Sequence, residues 1–147
     1  MKVLELMRVH VNKIGPEATL PEAIDMMDLY QVITLPVVDA EGYPLGVVTE
    51  SDIEDVLLIP FEAAASALPS QMREADLAQL IEQARHTRVA DIMSTPCIST
   101  DEQADVLEAA SIMLSHGFKR LPVTSGGKVI GSIGRIDICQ GILESVQ

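Results

Sequence analysis

The stretch LPVVDAEGYPLGVVTESDI, residues 35–53, holds two short apolar runs parted by DAEG and ends in alternating hydroxyls and acids. The runs are rich in β-branched residues and the divider is turn chemistry, which predicts a β-hairpin. Thr49-x-x-Asp52 then has the composition of a helix start. The same frame returns as RLPVTSGGKVIGSIGRIDI at residues 120–138, where Leu35-Pro36-Val37-Val38 meets Leu121-Pro122-Val123-Thr124 and Asp52 meets Asp137. A chain that builds one hairpin and one exit twice is a duplicated unit.

The correspondence extends outward from the hairpins at an offset of about 86 positions. Ala18, Glu22, Ala23 and Met27 meet Ala104, Glu108, Ala109 and Met113, and Glu5-Leu6-Met7 meets Asp91-Ile92-Met93. Each copy begins with a short extended segment (Val11 to Ile14; Cys97 to Thr100). A helix follows, opened by Thr19-x-x-Glu22 or Asp105-x-x-Glu108, both capping-box patterns. Leu20, Ala23, Ile24 and Met27 give it one apolar face, as do Val106, Ala109, Ala110 and Met113 in the second copy. The predicted order is β-α-β-β-α, too small to close a core by itself. The expected fold is therefore α+β, two such units packed sheet to sheet with pseudo-two-fold symmetry, at residues 1–59 and 90–147. Residues 60–89 read as a linker: Pro60 should kink or stop the preceding helix, and Leu77, Leu80, Ile81 and Ala84 mark an amphipathic one.

Charge and composition exclude several classes of function. A formal net charge of −12 repels a phosphate backbone, which argues against nucleic acid. No apolar run approaches the roughly 20 residues of a spanning helix, and MKVLELMRVHVNK lacks the apolar core of a secretory signal. A cytoplasmic protein is expected, without membrane insertion. Cys97 and Cys139 lack CxxC spacing, and His10, His86 and His116 are scattered; buried reduced thiols and no metal site are expected. A nucleophile–base pair, a metal cluster and a GxxxxGK loop are all missing from the sequence, so no enzyme is expected.

The exits admit two readings. Thr49 with Asp52, and Gly134 with Asp137, can simply cap the helices that follow. The same geometry can also hold a nucleoside phosphate, with the carboxylate taking ribose hydroxyls and the hydroxyl and free N–H groups facing a phosphate. The scarce cations gather in the second copy: Lys119-Arg120 precede its core strand where the first has Ile33-Thr34, and Arg135 replaces Glu50.

These residues resemble a tandem pair of CBS domains, the arrangement called a Bateman module. DIM before the second unit, ATLPEAIDMM, LPVVDAEGYPLGVVTESDI, HGFKRLPV and GSIGRIDI carry the resemblance from about Glu5 to Leu143, the linker excepted. It implies a regulatory module that binds AMP, ADP, ATP or S-adenosylmethionine in the cleft between units. It implies Asp52 for the ribose, Thr49 and Ser51 for the phosphate, Lys119 and Arg120 completing that site, and Lys13 and Ile14 beside the adenine. A second, weaker site is implied at Asp137, where Gly134 replaces the hydroxyl and Arg135 is the available cation. A homodimer is implied as well, acting on an unidentified enzyme or transporter. A ligand-free structural or dimerisation module, its exits serving only as caps, is the alternative.

Overall fold

Both predicted hairpins are present, each followed by the helix its exit specifies. The computed structural model describes residues 1–67 and 70–145. In chain order these form α1 (Val3–Leu6), α2 (Leu20–Tyr30), β1 (Thr34–Val38), β2 (Pro44–Thr49), α3 (Glu50–Ile53), a π-helical turn (Glu54–Leu58) and α4 (Ile59–Ala67). The second half gives α5 (Ser70–Arg85), α6 (Val89–Ile92), β3 (Thr100–Asp101), α7 (Val106–His116), β4 (Arg120–Ser125), β5 (Lys128–Gly134) and α8 (Arg135–Ser145).

The chain divides into two compact units whose limits cross those of the repeats. One comprises Asn12–Asp39 and Leu45–Cys97, the other Met1–Val11, Ala40–Pro44 and Ile98–Gln147. They are called here the Asp52 unit and the Asp137 unit. Thus α1, which opens the first repeat, belongs with Asp137, and α6, which opens the second, belongs with Asp52.

In the Asp52 unit β1 and β2 pair, and Ile14 joins β1 in parallel. Ile14 N–H donates to the Pro36 carbonyl at 3.0 Å, and Val38 N–H to the Ile14 carbonyl at 2.9 Å. On the other side Val47 and Ser94 exchange backbone hydrogen bonds of 2.9 and 2.8 Å. Gly46 permits that approach, since a Cβ there would sit 2.6 Å from the Ser94 carbonyl oxygen. Ile14, Ala23, Leu35, Val37, Val48 and Val89 form the core. The Thr19–Glu22 capping box is reciprocal, with bonds of 3.4 and 3.3 Å.

The Asp137 unit repeats the plan. Its sheet runs β3-β4-β5, parallel then antiparallel, with Leu121 opposite Ile133. Arg8 and Ser132 exchange backbone bonds of 2.8 and 2.9 Å, the counterpart of Ser94 with Val47. Here Gly131 makes room, because a Cβ would strike the Arg8 carbonyl oxygen. Val3, Val106, Ala109, Met113, Leu121, Val123, Ile133 and Ile138 form the core. The repeated glycine is therefore a packing requirement of a backbone pairing made twice.

Three local expectations change. Pro60 neither stops nor sharply breaks the helix: the ladder widens ahead of it, with Ile59 N–H reaching the Glu54 carbonyl, and Pro60 falls in the first turn of α4, where a missing N–H is tolerated. Asp105 caps α7 through Leu107 N–H at 2.8 Å, without a reciprocal bond from Glu108; a carboxylate already satisfied one residue earlier leaves that N–H to the backbone carbonyl of Asp105. Cys139 is exposed on α8 while Cys97 is half-buried, because the helical period turns position 139 away from the buried face of Ile138 and Gly141. The predicted amphipathic helix is α5, whose inward residue is Ala84; residues 68–69, the end of the stretch after Pro60, lie outside the described residues.

Candidate functional site

The two exits share a cap and differ in everything around it. At the first, Thr49 N–H and Thr49 Oγ1 both donate to Asp52 Oδ2, at 2.8 and 3.1 Å. Asp52 N–H donates back to Thr49 Oγ1 at 3.3 Å. The helix-cap reading of these residues is thus correct as local structure. It uses one carboxylate oxygen. The other, Oδ1, receives only the Ser94 hydroxyl among the described residues, at a long 3.4 Å. No cation pairs with Asp52 among the described residues.

Asp52 also lines a cavity of about 260 Å³, together with Asp55, Val56 and Ile92. Asp55 and Val56 belong to the π-turn, and Ile92 ends α6. A half-exposed carboxylate over an apolar floor can accept two neighbouring hydroxyls while the floor shelters a ring. Ser51 is exposed in α3. Ile14 is buried in its bridge to β1, and Lys13 beside it is exposed.

At the second exit Asp137 is only 7% exposed and fully engaged. Gly134 N–H donates to Oδ2 at 2.8 Å, the cap bond of Thr49 in a copy without the hydroxyl. Arg8 Nε donates to Oδ1 at 3.2 Å, and Arg120 Nη2 approaches Oδ2 at 3.4 Å. The same Arg120 nitrogen donates to Ser132 Oγ at 2.9 Å. Arg135 faces elsewhere, donating to the carbonyls of Phe118 at 2.7 Å and Met113 at 3.2 Å, where it caps the end of α7. Lys119 is exposed, and its ammonium makes no ion pair among the described residues. Lys128 lies 5.5 Å from the Tyr43 ring centroid within the Asp137 unit.

The residues that sequence reasoning missed are Arg8, Ser94 and Ser132. A signal existed for the first two. They occupy matching positions, each directly after the Leu6-Met7 or Ile92-Met93 pair, and each faces its exit carboxylate.

No helix among the described residues is long and apolar enough to cross a membrane. The sequence pattern of the CBS domain matches residues 3–59 and 89–144. The chain is 29% identical to the uncharacterized protein MJ1404 of Methanocaldococcus jannaschii over 97% of its own length, but spans only 32% of that protein. It is 26% identical to MJ1426 of the same organism, covering 83% of this chain and 82% of the relative. In fold it is similar to CBSX2, solved in complex with AMP, with a TM-score of 0.73 at 23% identity, over 99% of this chain and 98% of that one. Two copies of one β-α-β-β-α unit, each with its lead-in helix, glycine-spaced strand and aspartate-capped exit, and the family pattern over both, place the chain in the CBS domain family as a tandem α+β pair.

Proposed function

We propose that the chain is a regulatory module whose ligand is an adenosyl compound (AMP, ADP, ATP or S-adenosylmethionine), held at the exit of the Asp52 unit. Asp52 Oδ1 takes the ribose hydroxyls, and the apolar floor of Val56 and Ile92 shelters the sugar. Thr49 and Ser51 stand on the phosphate side, the Thr49 hydroxyl exchanging its bond to Asp52 for one to the phosphate, and Lys13 and Ile14 adjoin the base. The single observation that carries this reading is that Asp52, whose Oδ1 is under-used, lines a cavity of about 260 Å³. That the fold neighbour CBSX2 was solved with AMP supports the ligand class.

The alternative of a ligand-free dimerisation module is favoured by the completeness of the Thr49–Asp52 cap, which needs no ligand to explain it. Thermal shift separates the two. A ligand at about 100 times its Kd adds roughly 2.7 kcal/mol, or about 5–10 °C in Tm for a chain of this size. A shift with one of the four compounds supports sensing. No shift with any of them leaves the dimerisation module. Self-association itself fits either reading, and we assign it to α7 and α8, where Leu107, Leu114, Ile136 and Leu143 are 69%, 69%, 67% and 77% exposed. An enzyme or transporter regulated by the dimer is the proposed recipient of the signal.

A further inference from the structure

We infer that the chain's own arginines fill the Asp137 exit, so that the duplicated motif has diverged into one open exit and one occupied internally. The ligand aspect of this rests on the adenosyl reading of the Asp52 exit; the filling itself does not.

Matching positions differ in a coordinated way. Ser94 becomes Arg8, and a 3.4 Å hydroxyl contact becomes a 3.2 Å guanidinium bond to the corresponding carboxylate oxygen. Thr34 becomes Arg120, whose guanidinium is anchored by Ser132 at 2.9 Å and reaches the second carboxylate oxygen. Thr49 becomes Gly134, and a Cβ at that position would lie 2.5 Å from Arg120 Nη1. The glycine is therefore a space-maker for the guanidinium as well as a lost hydroxyl. Val56 becomes Gly141, and there the Leu6 side chain packs so closely that a Cβ would collide with it. Leu6 corresponds to Ile92, which lines the cavity of the open exit. Charge, space and apolar fill all change together. Both oxygens of Asp137 receive a guanidinium, while Asp52 Oδ1 retains the capacity for ribose hydroxyls. One equivalent of ligand per chain follows.

The test joins a ligand-free measurement to a titration, both on the full chain. Arg8→Ser, Asp137→Asn and the double variant are melted beside wild type. Each single substitution lowers Tm by about 4–8 °C, and the double variant melts no lower than the worse single one. Arg8→Lys, which keeps the charge, recovers most of the loss. Losses that add in the double variant overturn the filling. AMP titrated calorimetrically binds wild type at one equivalent, which Asp137→Asn retains and Asp52→Asn loses. Two equivalents on wild type, or loss of the single equivalent in Asp137→Asn, also overturn it. Non-additive melting with no AMP bound by any variant supports the internal filling and removes the ligand reading alone.

Discussion

Removing the Asp137 carboxylate strands two guanidinium groups and one buried N–H, so Asp137→Ala is expected to cost about 2 kcal/mol in urea unfolding, below the range for a fully buried pair because the arginines are 63% and 42% exposed. Asp52→Ala removes a cap without stranding a cation and should cost about 1 kcal/mol. Equal losses would mean that the arginines contribute little. Gly131→Ala forces apart the Arg8–Ser132 pairing and should cost about 3 kcal/mol by the same measurement; a near-neutral result would contradict the close approach. At the cysteines, burial raises the Cys97 thiol above its ordinary value of 9.0. Burial favours its neutral form, so its contribution to stability is complete below the unfolded thiol's pKa and fades as pH rises through the folded one. Iodoacetamide at pH 8 should therefore alkylate exposed Cys139 about tenfold faster than Cys97, and the reverse order would contradict this assignment. The exit aspartates were legible in sequence because a cap and its acid lie three residues apart. Arg8 was marked only as the match of Ser94 in the repeat; its pairing with Asp137, 129 positions away, lies beyond what local pattern carries.

Among the elements, the hairpins and the α2 cap could be read directly, because turn chemistry, β-branched runs and Thr-x-x-Glu act over a few residues. The π-turn could not. Whether a proline stops a helix or is absorbed by a wider turn ahead of it depends on what the turn packs against, here α5. Arg135 shows the same dependence. The resemblance offers it as a ligand cation, whereas the fold sets its guanidinium on the last carbonyls of α7 and the loop beyond. Arg135→Ala should cost about 1–2 kcal/mol and speed amide exchange in the last turn of α7, leaving the Asp52 exit unaffected. Unchanged protection at Met113 to Phe118 would refute the cap.

At the scale of the whole molecule, repeat arithmetic identifies which segments are alike but says nothing about which pack together. Hence the placing of α1 with Asp137 and α6 with Asp52, which brings Arg8 and Ser94 to their exits, emerged only from the fold. The same internal comparison informs association. Pro21, Asp28 and Ser51 stand where Leu107, Leu114 and Ile136 are exposed, while Leu58, the match of Leu143, is exposed as well, so the apolar face of α7 and α8 is the more extended of the two. Leu114→Glu with Leu143→Glu should halve the native mass seen by light scattering, and an unchanged mass would place the contact elsewhere. The central claim concerns the other exit, and equilibrium dialysis of labelled AMP against wild type and Asp52→Asn tests it most directly. Saturable binding to wild type that weakens at least tenfold in the variant, about 1.4 kcal/mol or more, is expected. Equal binding to the two proteins would contradict it.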